Sequence, residues 1–141
     1  MIRRSLFTAF ALAGCAAAHA QDATQVAQAA CPKAAEMTQR HLLGLWRAEF
    51  EGLAQGATLL LERHPELAES VRGGINRDGD RGEVAGDVDD GEFTLEESAN
   101  GINISATWLG DVVEGSCGRE IRGTWQAEGG RRALGFVLRK Q

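Results

Sequence analysis

The chain has 141 residues, of which 43% are hydrophobic and 25% are charged, and its formal net charge at pH 7 is −5. This length is enough for one domain with a single hydrophobic core. If Arg3 and Arg4 are removed with an N-terminal signal, 13 basic residues remain against 20 acidic ones. The resulting net charge near −7 argues against nucleic acid as a partner.

The first 20 residues are typical of an export signal. Arg3 and Arg4 stand before an apolar run from Leu6 to Ala13, which is too short to span a bilayer. We therefore exclude residues 1–20 from the fold.

Two processing sites compete within this segment. AHA at residues 18–20 matches the pattern for cleavage after residue 20, which would release a soluble periplasmic or secreted protein. LAGC at residues 12–15 resembles the bacterial lipoprotein signal, in which residues 1–14 are removed and Cys15 is lipidated. We expect an outer-membrane lipoprotein that faces the periplasm and contacts the membrane only through its lipid anchor, with the soluble form as the alternative.

The other two cysteines, Cys31 and Cys117, would share an oxidising compartment and are predicted to form a disulfide. Residues 21–30 (QDATQVAQAA) are polar and alanine-rich, which predicts a flexible tether before a folded domain of residues 31–141. A proline at its start favours a short helix over residues 32–41.

From Leu43 onward, apolar and polar residues alternate, and glycine-rich turns recur about every 8 to 12 residues. Eight strands are predicted, and the alternation of GINISATW places the sixth strand at residues 101–108. Hairpin-sized connections are expected at 52–56, 77–81, 89–91, 99–101 and 128–131. The predicted fold class is all-β. An eight-stranded antiparallel up-and-down barrel removes every exposed strand edge, and a β-sandwich is the alternative.

Oxygen donors in NRDGDRGEVAGDVDDGE (residues 76–92) raise the possibility of a calcium site. In a meander, successive turns lie at opposite ends, so a strand of about six residues would separate the two acidic turns by roughly 20 Å. Asn76, Asp78 and Asp80 have the right spacing, but Arg81 stands where a calcium loop needs glycine, and no glutamate closes the loop. Two hairpin turns and no metal site are predicted.

The same alternation of turns bears on the disulfide. It places the long connection that contains Cys117 at the barrel end where strand one begins, beside Cys31. A bridge there would fasten the N-terminal helical segment across that end and contribute roughly 4 kcal/mol in the chain-entropy model.

The sequence gives little support for a catalytic site. His64 precedes a proline and fits a solvated turn, and no third ligand completes a metal site with His41. Ser116 does not lie in a nucleophile motif, and most acids of residues 78–97 alternate outward as a solvated face. We predict a protein that is not an enzyme and has no cofactor.

Most aromatic residues of the folded domain fall on the inferred inner face of the barrel, and they have two interpretations. They fill the core, or they line a pocket for a small apolar or lipidic ligand. The candidate ligand-binding residues are Trp46, Phe50, Trp108, Trp125 and Phe136.

Gly44-Leu45-Trp46 at the start of strand one, followed by an eight-stranded meander of about 100 residues, resembles the lipocalin and avidin type of barrel. The resemblance implies that an arginine of the last strand, Arg139 or Arg132, packs over Trp46. The Thr-Asp-Tyr motif of lipocalins and the ligand-binding tyrosine of avidin are missing. The small Gram-negative inhibitors of secreted metalloproteases have a related shape, with one disulfide and an N-terminal arm to which residues 21–30 could correspond.

The predicted function is therefore that of a non-enzymatic, exported envelope barrel that binds a small apolar or lipidic ligand. The alternative is a protein-interaction module such as a periplasmic protease inhibitor. An inner cavity would favour the ligand carrier, and a filled barrel with exposed apolar residues on its loops would favour the interaction module.

Overall fold

The computed structural model describes residues 31–141, so the predicted export signal, Cys15 and the predicted tether lie outside the described residues. The eight strands form one closed antiparallel barrel in chain order, which confirms the predicted fold class. β8 closes the barrel against β1, with Trp46 opposite Lys140 and Phe50 opposite Phe136. The strands are β1 Gly44–Phe50, β2 Ala57–Arg63, β3 Ser70–Arg77, β4 Asp80–Asp89, β5 Glu92–Ser98, β6 Ala106–Val112, β7 Glu120–Ala127 and β8 Leu134–Lys140.

Alternation along each strand directs one set of side chains inward, as the sequence predicts. In β1, Trp46, Ala48 and Phe50 are buried while the residues between them are exposed. Glycine occupies inward positions where neighbouring strands come very close. A Cβ on Gly73 would lie 1.9 Å from the carbonyl oxygen of Leu60, so no larger residue fits without moving the backbone.

The two acidic turns are separate two-residue hairpins. Asp78 and Gly79 both have positive φ, as do Asp90 and Gly91, which is the type I′ geometry that Asp-Gly favours. The side-chain oxygen of Asn76 accepts a hydrogen bond from the Gly79 N–H at 2.8 Å. β4 joins the turns and has ten residues, so they lie about 30 Å apart, farther than predicted.

Seven connections and the N-terminal segment divide between the two ends of the barrel. One end, which we call the Arg77 end, carries residues 51–56, 78–79, 99–105 and 128–133. The other, which we call the plugged end, carries residues 64–69, 90–91 and 113–119, together with residues 31–43, which we call the plug.

The helix predicted over residues 32–41 is shorter than expected and divided. A 3₁₀ turn, η1, spans Ala34–Glu36, and one α-helical turn, α1, spans Gln39–Leu42. Met37 and Thr38 between them are extended, which turns the buried Met37 side chain onto Gly118. Tertiary packing of Met37 therefore overrides the local helical tendency.

The disulfide is confirmed, because Cys31 and Cys117 are bonded with their Cα atoms 4.4 Å apart. It fastens the plug to the connection between β6 and β7, at the predicted end. Leu42 of the plug is fully buried among the core residues. Its carbonyl oxygen accepts a hydrogen bond of 2.7 Å from the indole N–H of Trp46.

The implied packing of Arg139 or Arg132 over Trp46 is wrong. Lys140 occupies that position, with its Nζ 5.7 Å from the Trp46 ring and 2.8 Å from the carbonyl oxygen of His41 in the plug. Arg139 lies one residue out of phase on β8, and it pairs on the outer face with Glu49 at 3.1 Å. Arg132 is exposed before β8.

The sixth strand begins later than predicted. Ile102 and Ile104 belong to the connection of residues 99–105, and 86% of the Ile102 surface is exposed. The Asn100 side-chain oxygen accepts hydrogen bonds from the backbone N–H groups of Ile102 and Asn103, which holds this stretch as a loop. Regular pairing with β5 resumes at Ala106.

No helix within residues 31–141 has the length and apolar character needed to cross a membrane.

Candidate binding site at the Arg77 end

Four of the five predicted ligand-binding residues form one aromatic cluster inside the Arg77 end. Phe50 lies 5.2 Å from Trp108 and 5.8 Å from Trp125, measured between ring centroids. Phe136 meets Trp108 edge-on at 4.9 Å. The fifth, Trp46, is apart from them at the plugged end, where it holds the plug. The rings of the cluster contact one another in the tilted and edge-to-face arrangements typical of cores.

An ion pair lies against this cluster. Both terminal nitrogens of Arg77 donate hydrogen bonds to the two carboxylate oxygens of Glu97. Glu97 also accepts hydrogen bonds from the indole N–H groups of Trp108 at 3.2 Å and Trp125 at 3.1 Å. Four donors therefore converge on one carboxylate that is only 5% exposed.

The guanidinium group of Arg77 is also surrounded by aromatic rings. Its central carbon lies 5.3 Å from the centroid of Trp125, 5.5 Å from that of Phe50 and 6.0 Å from that of Trp108. A cation within about 6 Å of a ring is attracted by the ring's quadrupole. Arg77 thus contacts both the carboxylate and the aromatic cluster.

The protonation of Glu97 reflects these contacts. Burial raises the pKa of Glu97, but the hydrogen bonds from Arg77, Trp125 and Trp108, together with the positive charge of Arg77, lower it by more. The net pKa lies below its ordinary value of 4.5. The side chain is therefore a carboxylate at neutral pH and accepts all four hydrogen bonds in that form.

The sequence interpretation missed Arg77 and Glu97 although a signal was available. Glu97 belongs to the run of acids at residues 78–97, most of which are predicted to point outward, yet it stands in phase with the inward residues Phe93 and Leu95. Arg77 is likewise in phase with Val71 and Ile75 on β3. Opposite charges at inward positions near the same end of a barrel predict a buried ion pair.

A cleft of about 360 Å³ lies beside Arg77 under the connection between β1 and β2. The Gln55 side-chain amide donates a hydrogen bond of 3.0 Å to the Asp78 carboxylate, which fastens this connection to the β3–β4 turn. The Arg77 side chain is 31% exposed and forms part of the cleft. The lining residues are Phe50, Leu53, Ala54, Gln55, Gly56 and Arg77.

The interior beyond this cleft is occupied by side chains. The buried core residues form one contiguous cluster that extends from Met37 and Leu42 in the plug to Phe50 and Phe136 at the Arg77 end. Apolar side chains are instead exposed on the connections, at Leu53 (54%) and Ile102 (86%) of the Arg77 end and at Leu67 (57%) of the plugged end. The aromatic residues therefore fill the barrel, and Phe50 is the one that also borders the cleft beside Arg77.

Both histidines of the described region have local structural contacts. Nδ1 of His41 accepts a hydrogen bond from the backbone N–H of Thr38 at 2.9 Å. Nδ1 of His64 accepts two from the backbone N–H groups of Glu66 and Leu67, in the turn that the sequence predicts. Within residues 31–141, no group of three His, Cys, Asp or Glu side chains could hold a metal ion.

Comparison with known proteins finds no family model that matches the chain and no curated protein that matches it. The closed eight-stranded meander is consistent with the lipocalin type of barrel.

Proposed function

We propose that this protein is a non-enzymatic, exported barrel that acts as a protein-interaction module. The filled interior carries this proposal, because a carrier of apolar ligands needs a cavity that the aromatic cluster and the plug here occupy. Exposed Leu53 and Ile102 on the connections of the Arg77 end supply the apolar contacts that a partner protein would bury.

Export and lipid anchoring through Cys15 belong to the same proposal. The Cys31–Cys117 disulfide fits an oxidising compartment such as the periplasm. The lipoprotein signal before the tether would keep the barrel close to the membrane surface, where it would meet partners in the envelope.

Site-specific photo-cross-linking in the cell envelope tests the proposal. A photoreactive phenylalanine analogue at Ile102 should give a discrete cross-linked protein species. The same analogue at Leu109, an exposed apolar residue on the outer face of β6, is the matched control and should not. Equal cross-linking from both positions, or none from Ile102, would contradict the proposed function.

The second candidate function is small-ligand binding, and the cleft beside Arg77 favours it. The cleft has apolar walls at Phe50 and Leu53 and a polar group at Arg77, as small-molecule sites do. Titration with the apolar dye N-phenyl-1-naphthylamine tests it. Saturable fluorescence enhancement that is lost in Ala54→Trp, which fills the cleft, would support this function, and unsaturable enhancement would exclude it.

A further inference from the structure

A groove of about 580 Å³ lies on the outer wall of β2, β3, β4 and β5. Gly74 and Ala85 are outward residues of adjacent strands, and their small size leaves a depression in the wall. Leu60, which is 50% exposed, pairs with Gly74 and borders one side. Ile104, which is 44% exposed, contributes from the β5–β6 connection on the other.

Four charged side chains surround this apolar floor. Glu62 and Arg72 are cross-strand neighbours. Glu83 lies opposite Gly74, and Glu96 lies opposite Ala85. Three carboxylates against one guanidinium make the surroundings of the groove negative. Among the ion pairs formed within residues 31–141, none involves any of these four side chains. Their charges therefore remain available to a partner.

We propose that this groove binds an extended polypeptide segment in which an apolar side chain is flanked by lysine or arginine. The apolar residue would enter the depression over Gly74 and Ala85, between Leu60 and Ile104. The flanking cations would then meet Glu83 and Glu96, in accord with the complementarity of charge that specifies interfaces. This inference rests on the proposed function and names the surface and the chemistry of its partner.

Three synthetic heptapeptides provide the direct test. The first alternates lysine with valine and leucine, the second replaces each lysine by glutamate, and the third replaces each apolar residue by serine. Binding to the purified, disulfide-intact barrel is measured from amide chemical shifts. We expect the first peptide alone to shift the amides of Leu60, Gly74 and Ala85, and its binding to weaken as salt is added.

A charge reversal distinguishes specific binding of the peptide in the groove from its general attraction to an acidic protein. Glu96→Lys should weaken binding of the lysine–valine–leucine peptide about tenfold, because a favourable contact is replaced by a repulsive one. Glu92→Lys makes the same charge change on the same exposed face of β5, about 13 Å away, and is the matched control. It should change the affinity less than about twofold.

A change of shape tests the apolar floor. A Cβ on Gly74 would have Gly82 O as its nearest neighbour at 3.8 Å, so Gly74→Val fits the fold while filling the depression. It should abolish the shifts in Leu60 and Ala85. Thr124→Val, on the exposed face of β7, introduces the same side chain elsewhere and should leave them unchanged.

The outcomes distinguish this inference from the proposed function. Shifts confined to residues 51–56, or equal losses in Glu96→Lys and Glu92→Lys, would overturn the groove proposal. Binding of the glutamate peptide as tightly as the lysine peptide, or no binding of any peptide, would do the same. The proposed function would still stand or fall by cross-linking from Ile102.

Discussion

Replacing Glu97 by glutamine should destabilise the barrel substantially, although the two side chains have nearly the same shape. The carboxylate receives four donors on two oxygens, from Arg77, Trp108 and Trp125. Glutamine has one acceptor oxygen, and its NH₂ group would turn a donor towards other donors. The variant therefore leaves buried donors unsatisfied and a cation without its counter-charge.

The magnitude follows from the burial of the two partners. Removing one member of a fully buried ion pair costs about 3–5 kcal/mol. Glu97 is almost fully buried, but the Arg77 side chain is 31% exposed and can recover part of its hydration. We therefore expect the free energy of unfolding to fall by about 2–4 kcal/mol.

Urea denaturation of the disulfide-intact protein measures this loss, with tryptophan fluorescence as the probe. Glu96→Gln is the matched control, because Glu96 is the exposed neighbour on the same strand, and it should change the free energy by less than about 0.5 kcal/mol. A Glu97→Gln variant as stable as Glu96→Gln would refute the role assigned to the buried carboxylate.

The pKa of Glu97 adds a dependence on pH. Because the pKa is depressed in the folded state, the stabilisation is fully present above the ordinary value of 4.5 and is lost as the pH falls through the lower folded-state value. The difference in stability between the wild type and Glu97→Gln should be constant between pH 7 and about pH 5.5 and shrink below 4.5. A difference that grows on acidification would contradict the direction of the shift.

Four further predictions concern other parts of the chain. Cys117→Ser should lower the free energy of unfolding by about 2–5 kcal/mol in urea titrations, and labelling of both thiols in the native oxidised protein would exclude the bond. Gly73→Ala should be strongly destabilising in thermal unfolding, because the added Cβ would lie 1.9 Å from the backbone of β2, whereas Gly74→Ala should be near neutral. Equal effects of the two variants would contradict the close approach of β2 to Gly73. Calorimetry should show no sub-millimolar calcium binding, and such binding lost in Asp78→Asn would disprove the turn assignment. Intact mass should show a lipidated N-terminus at Cys15, and an unmodified chain starting at residue 21 would exclude the anchor.

The strands could be predicted because half-buried strands have a period of two that survives in the sequence. Trp46 and Phe50 on β1 are examples, and the alternation of turns correctly predicts that Cys117 lies beside Cys31. Ile102 and Ile104 misled the same reasoning. They continue the alternation of β6, but hydrogen bonds from their loop to Asn100 and Ser105 replace strand pairing there.

The candidate site was harder to predict than the fold because it depends on pairs from distant strands. Arg77 and Glu97 are separated by β4 along the chain, and only the closed register brings their charged groups together. The alternation along β3 and β5 indicates that both side chains point inward. The run of acids at residues 78–97 made this harder to recognise. Lys140, and not Arg139, packs over Trp46. Neighbouring residues of a strand point to opposite faces, so an error of one residue in the predicted phase selects the wrong side chain.

Whether the barrel acts through its surface or its interior is the central question. Native mass spectrometry of the protein purified from its own envelope, without denaturant, addresses it directly. We expect a polypeptide that retains no small molecule, apart from any covalent lipid, and that appears in part as a complex with a second protein. A stoichiometric apolar molecule that leaves only when the barrel unfolds would contradict it.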